Sequence, residues 1–177
     1  MRRARRLAIP VRGTLKRMGA YYAPIEGRAG KLRLDFNENT VGCSPAVRAA
    51  LARLTRENVA MYPEYATATR HLARFFGVRP AELLLTNGVD DGLRLIFDAF
   101  VDPGSSVLLA EPTFVMYRFY AALAGARVVA LRYYEAMQFP VEKVLDALRG
   151  RPRVLFIANP NNPTGTLIGK NDLRRIL

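Results

Sequence analysis

From residue 83 onward, short apolar runs alternate with amphipathic stretches of helical period. Residues 83–86 (Leu-Leu-Leu-Thr) read as a buried strand, 90–100 as a helix, 106–110 as a strand, 114–123 as a helix, 127–131 as a strand, 141–148 as a helix and 154–158 as a strand. This alternation predicts an α/β fold, a mostly parallel sheet with helices on both faces. Its connections, Thr86-Asn87-Gly88, Asp102-Pro103-Gly104 and Glu111-Pro112-Thr113, are short and turn-rich. Such loops are where an open α/β sheet presents its chemistry. Upstream, the pattern predicts an extended piece around Leu34-Asp35-Phe36-Asn37, a helix opened by Ser44-Pro45 and running to about residue 54, and a second helix over 67–76. Residues 171–177 start an amphipathic helix with Leu173, Ile176 and Leu177 on one face and no closing cap. The chain is therefore expected to end in mid-element, exposing that face and the sheet edges, with low solubility or dependence on a partner as the consequence.

Composition narrows the picture. With 177 residues, 50% of them hydrophobic, the chain can bury the core of one α/β domain. Its single cysteine, Cys43, has no Cys or His nearby at ligand spacing, so neither a disulfide nor a metal site is expected and the default setting is a reducing cytoplasm. The formal charge is +12, but residues 1–33 hold 10 Lys and Arg against one acid, whereas 34–177 hold 17 against 14. The excess thus sits in an Arg-rich N-terminal arm, open to three readings: an organellar transit segment, a contact with anionic surfaces, or a solvated tail or arm packing on a partner subunit. The arm lacks the long basic stripe with interleaved aromatics of a nucleic-acid surface. No run approaches the ~20 apolar residues of a membrane span, and no signal-type apolar region follows the basic start. His71, beside Arg70 and Arg74 in a helical stretch, has no partner at catalytic spacing and reads as a surface residue.

Three loops could carry chemistry. Asn159-Pro160-Asn161-Asn162-Pro163-Thr164-Gly165 follows a strand, and its prolines and glycine fix a rigid loop whose asparagine amides are either conformational or aimed at a ligand. Thr86-Asn87-Gly88-Val89-Asp90-Asp91-Gly92 lies between strand and helix. Gly88 permits a tight turn and the free N–H groups at the helix start suit an anion, although the aspartates would also serve as ordinary helix starters. In Glu111-Pro112-Thr113-Phe114-Val115-Met116-Tyr117, Phe114 is either a ligand-facing ring or a core aromatic in line with Met116 and Tyr117.

Taken together, these strings resemble fold type I pyridoxal 5′-phosphate (PLP) aminotransferases. The PNNPTG string is similar to that family's signature, in which the asparagine at the place of Asn162 donates to the phenolic oxygen of the cofactor. The string NGVDDGL looks like the phosphate cup, which assigns Gly88 to the turn and the amides of Val89 and Asp90 to the cofactor phosphate. Phe114 stands where the family stacks an aromatic ring on the pyridine, many relatives having tyrosine there. Two further matches point to the histidinol-phosphate branch. Leu34-Asp35-Phe36-Asn37-Glu38-Asn39 with Gly42-Cys43-Ser44-Pro45 is similar to its L-N-x-N-E-N-P-x-G-P-S-P stretch, with Thr40 and Cys43 in place of prolines. Tyr62-Pro63-Glu64 resembles the segment whose tyrosine reaches the cofactor phosphate of the partner subunit. The resemblance thus implies that Tyr62 is a cofactor contact in trans and Asn39 a substrate contact. Tyr22, in Ala-Tyr-Tyr-Ala-Pro, stands about where the family places a tyrosine near the substrate phosphate, a packing aromatic being the other reading.

The resemblance implies three regions: a basic arm (1–33), the N-terminal part of a small domain (34–61), and an incomplete PLP-binding large domain (62–177). It implies a homodimer, a phosphorylated amino or keto substrate with glutamate, and the transamination of histidinol phosphate and imidazole acetol phosphate in histidine biosynthesis. Threonine-phosphate decarboxylation or another amino-acid transamination shares the same cup and loop. The family's Schiff-base lysine, its pyridine-binding aspartate and its carboxylate-binding arginine all follow the PNNPTG loop in relatives. The four lysines here, Lys16, Lys31, Lys143 and Lys170, lie outside the family's S-x-x-K setting. The chain is therefore expected to be a front half without its catalytic lysine, or an inactive gene remnant. A third expectation, binding of an anionic polymer through the arm, predicts steep salt dependence.

Overall fold

The computed structural model of the chain describes residues 10–19 and 25–177. In chain order the elements are α1 (Gly13–Lys16), α2 (Pro45–Leu51), α3 (Arg56–Ala60), α4 (Tyr65–Phe76), α5 (Gly88–Phe100), β1 (Ser106–Glu111), α6 (Val115–Ala124), β2 (Arg127–Arg132), α7 (Val141–Leu148), β3 (Val154–Phe156) and α8 (Lys170–Ile176). Single 3-10 turns occupy Pro80–Glu82 and Glu135–Met137. Two compact units result, one from residues 86–177 with the segment carrying α1, the other from residues 25–85.

The first unit is a three-stranded parallel sheet of order β2-β1-β3, in which Val107 is in register with Val128 on one side and Val154 on the other. β1 is central and its run Val107-Leu108-Leu109-Ala110 is buried throughout, as a strand covered on both faces requires. Val107 and Leu109 face α5 and α6 through Leu93, Phe97, Met116, Tyr117 and Ala121. Leu108 and Ala110 face Val144 of α7, Phe139 and Ile168, with Leu173 and Ile176 of α8 packed beside them. The ring of Phe156 on β3 stacks on Phe97 (5.1 Å) and on Tyr117 (5.0 Å), which fixes both helices to the sheet. Burial pushes the Tyr117 phenol above its ordinary value. α6 ends on Gly125 in the left-handed region, and the Ala126 N–H returns to the Ala121 carbonyl (2.9 Å).

In the second unit, Ser44 caps α2 by accepting from the Val47 N–H (3.4 Å), with Pro45 at the first helical position. Thr55 and Asn58 cap α3 reciprocally. Among this unit's described residues Ala73 alone is buried, and Phe75 and Leu32 are 80% and 84% exposed.

Several expectations need correction. Residues 83–86 are not a buried strand: no described strand pairs with them, and Leu84 is 71% exposed. An apolar run becomes a strand only where a neighbour takes its backbone hydrogen bonds. The helix expected from residue 114 starts at Val115, leaving Phe114 as a non-helical residue before it (φ −58°, ψ 120°). The strand expected over 154–158 ends at Phe156, where its pairing with β1 stops at Leu109 although β1 itself continues to Glu111. α2 stops at Leu51 and α3, unread in the sequence, follows. The apolar face of the last helix is left open only in part: Leu173 and Ile176 pack on the second core and Arg175 pairs with Glu142 of α7 (2.7 Å), whereas Leu177 is 95% exposed. Among the described residues no helix is long and apolar enough to cross a membrane.

Candidate active site

Because all three strands run parallel, their C-terminal ends lie on one edge of the sheet, and the loops that leave β1 and β3 there carry Phe114 and Asn162. Asn161 joins these loops. It is 3% exposed; its Nδ2 donates to the Pro112 carbonyl (2.9 Å) and to Thr164 Oγ1 (2.8 Å), while Oδ1 accepts from Thr113 Oγ1 (2.7 Å). A carbonyl can only accept, so the amide orientation is fixed by Pro112. The neighbouring Asn162 is half-buried, and its side-chain amide donates to no described residue. A half-buried amide without a protein acceptor is available to a ligand.

Phe114 meets Tyr117 edge-on (5.7 Å, 89°) and lines a cleft of about 400 Å³ with residues 111–113, Val115, Arg118 and Arg132. In this cleft Arg118 grips Glu111 through both carboxylate oxygens, Nε to Oε1 at 2.9 Å and Nη2 to Oε2 at 2.8 Å. That fork raises the Arg118 pKa further.

The head of α5 lies in the same unit. Asn87 contributes no side-chain cap, and the N–H groups of Val89 and Asp90 donate to no described residue. These are the first-turn donors that a helix leaves orphaned, at the positive end of a 13-residue helix. Gly88 sits at φ +76° with nothing within 4 Å of the place a Cβ would take, so the space before the amides is open. The Asp91 carboxylate is turned back: it accepts from the Asn87 N–H (3.2 Å) and from Arg94 (2.8 Å), and Arg94 also reaches Asp98 (3.0 Å). The Arg94 hydrogen bond, then that of Asn87, holds Asp91 below the usual carboxylate range. Burial, and then the charge of Asp90, raise the Tyr120 phenol.

Gly88, Val89, Asp90, Phe114 and Asn162 therefore all belong to the sheet unit. Asn39 and Tyr62 belong to the other. Asn39 spends its amide on a local turn, Nδ2 donating to the Gly42 carbonyl (2.9 Å) and Oδ1 accepting from the Val41 N–H (3.2 Å). Tyr62 is fully exposed. Tyr22 lies outside the described residues. His71 is exposed on α4. Sequence reasoning passed over Asn161, since nothing in a string with two adjacent asparagines tells which is buried, and Arg118, whose partner Glu111 lies seven residues away across a loop.

Comparison with known proteins agrees with this architecture. Curated relatives include histidinol-phosphate aminotransferases of Geobacillus sp. (strain WCH70), 36% identical over 148 residues, and of Roseiflexus castenholzii, 38% identical over 152 residues. Each alignment takes in 82% of this chain, which spans 40% and 41% of the length of those relatives. Among solved structures, the histidinol-phosphate aminotransferase from Sinorhizobium meliloti in complex with pyridoxal-5′-phosphate superimposes with a TM-score of 0.81 over 93% of this chain and 46% of its own; at 23% identity this likeness speaks for the fold. A putative histidinol-phosphate aminotransferase from Erwinia carotovora gives 0.70 at 28% identity, over 82% of this chain and 43% of its own. Residues 29–177 match the family description "Aminotransferase class I and II", so the chain, with its parallel sheet and its loops at the strand ends, belongs to the class I and II aminotransferases.

Proposed function

We propose that this chain supplies the phosphate cup, the ring-stacking face and the phenolate donor for PLP in an aminotransferase of the histidinol-phosphate type. The observation that carries the reading is the pair of open amides, Val89 and Asp90, at the head of α5 behind an unfilled space at Gly88. Two orphan donors and the helix dipole suit a dianionic phosphate, and pairing Asp91 with Arg94 offsets one of the two carboxylates of the first turn. Asn162 would donate to the phenolic oxygen and Phe114 would cover the ring. When bound, PLP supplies the electron sink for the bond changes at the substrate's α-carbon.

The reaction assigned to the whole protein is amino transfer from glutamate to imidazole acetol phosphate, giving histidinol phosphate, in a cytoplasmic homodimer. Similarity to the Geobacillus and Roseiflexus relatives supports it. Tyr62 would serve the cofactor phosphate of a second copy, and Asn39 and Tyr22 the substrate. Within the sheet unit, Lys143 Nζ is committed to the Arg132 carbonyl (3.2 Å) and lies over the Tyr134 ring (4.5 Å), and Lys170 opens α8. The lysine that bonds the cofactor would come from outside these 177 residues.

Binding is tested by titrating the isotope-labelled chain with PLP. Saturable shifts at the Val89 and Asp90 amides, competed by inorganic phosphate, are expected. Shifts confined to lysine side chains would defeat the reading. The substrate is tested by co-expression with the C-terminal half of the Geobacillus relative. Amination of imidazole acetol phosphate is the expected activity, and decarboxylation of threonine phosphate in its place would move the assignment.

A further inference from the structure

The hydrogen bonds around Asn161 form one directed chain that ties together the segments following all three strands. Thr113 Oγ1, after β1, donates to Asn161 Oδ1 (2.7 Å). Asn161 Nδ2 donates to Thr164 Oγ1 (2.8 Å), which donates to Thr166 Oγ1 (2.8 Å), which donates to the Met137 carbonyl (2.9 Å) after β2. The Asn161 backbone closes its own loop, its N–H donating to the Thr166 carbonyl (2.8 Å) and its carbonyl accepting from the Gly165 N–H (2.7 Å). Asn161 is the one buried polar residue of the described core. Each hydroxyl in the chain has a single proton, already directed, so the network has little freedom to rearrange and its members reinforce one another.

Two consecutive pairs give this network its consequence. Thr113 precedes Phe114, and Asn161 precedes Asn162. We infer that Asn161, clasped by Thr113, is the positioning residue that holds the Phe114 ring and the Asn162 amide in fixed relation, so that one planar pyridine ring meets both. This rests on the reading that Phe114 and Asn162 face the cofactor. In this reading Asn161 and Thr113 act on the ligand through Phe114 and Asn162. Their role is to remove the conformational cost of bringing two loops, 48 residues apart in sequence, to one ring. The phosphate cup at Val89 and Asp90 has no hydrogen bond to the clasp.

The full 177-residue chain is titrated with two probes, inorganic phosphate and pyridoxine 5′-phosphate, which carries the ring without an aldehyde. Wild type is expected to bind the second more tightly. Thr113→Val, which removes the clasp hydroxyl, should lose on the order of tenfold in affinity for pyridoxine 5′-phosphate while its affinity for inorganic phosphate stays unchanged, and Thr113→Ser should restore the difference. A general loss of structure would weaken both probes together. If wild type binds the two probes equally, the assignment of Phe114 and Asn162 fails and the inference with it. If wild type prefers pyridoxine 5′-phosphate and a folded Thr113→Val retains that preference, or loses affinity for both probes equally, the cofactor reading stands and the positioning role is overturned. Should Thr113→Val not fold, wild type alone decides: the Asn161 side-chain amide protons must exchange with solvent more slowly than those of Asn162, and equal rates overturn the clasp.

Discussion

Leu108 and Leu109 are neighbours on β1, both fully buried, yet they belong to different cores: Leu109 packs with α5 and α6, and Leu108 with α7 and Ile168. Successive residues of a strand point to opposite faces, so two adjacent burials require cover on both. Leu108→Ala and Leu109→Ala should each cost about 2–5 kcal/mol, read from denaturant midpoints. A cost below about 1 kcal/mol for one of them would mean that its face is not packed.

Gly88 and Gly92 stand one turn apart on α5 and should respond to alanine with opposite signs. At Gly88 φ is +76°, so a Cβ is strained although the space is open, and Gly88→Ala should destabilise by about 1–2 kcal/mol. At Gly92 a Cβ would lie 3.5 Å from Thr86 Oγ1, ordinary contact within a helix, and Gly92→Ala should stabilise by about 0.5–1 kcal/mol. Thermal midpoints of the two variants decide. A stabilising Gly88→Ala would remove the case for a strained turn ahead of the open amides.

The β-α alternation was legible because β1 is apolar on both faces and the helices α5 and α7 carry one apolar stripe each. The sequence could not show that residues 83–86 lack a partner, since strand formation depends on backbone acceptors far away in the chain. The site divides in the same way. Gly88 and the amides behind it follow from local rules of turns and helix starts. The clasp at Asn161 depends on Pro112 and Thr113, 49 and 48 residues distant, and no periodicity reports such a contact.

Acid should loosen the head of α5. Asp91 titrates below its ordinary value because its carboxylate accepts from Arg94 and from the Asn87 N–H. The folded state therefore binds this proton less readily than the unfolded chain. The resulting stabilisation is fully present above the unfolded value of about 3.9 and is lost as pH falls through the lower folded value. Carbon-detected titration of Asp91 should give a midpoint below 3.8, and the midpoint should rise in Arg94→Ala. An unchanged midpoint in that variant would show that Arg94 is not its main partner.

Arg28 organises the stretch that carries Asn39. Its Nη2 donates to Asp35 Oδ1 (2.5 Å) and Glu38 Oε2 (2.7 Å), its Nη1 to Glu38 Oε1 (3.3 Å), and its guanidinium lies 4.4 Å from the centre of the Phe36 ring. A planar fork can satisfy two carboxylates and stack at once; an ammonium group cannot. Arg28→Lys keeps the charge and so separates geometry from simple attraction. The Arg28 hydrogen bond is the main reason Asp35 titrates below its ordinary value, so in Arg28→Lys the Asp35 midpoint should move upward. The Asn39–Gly42 turn, closed by the Gly42 N–H on the Asn39 carbonyl (3.1 Å), should lose hydrogen-exchange protection at the same time. If the Asp35 midpoint and the protection of Gly42 both match wild type, a point charge suffices there and the fork adds nothing. If Asp35 moves while Gly42 stays protected, the Asx turn holds Asn39 by itself, and the substrate role proposed for that residue does not depend on Arg28.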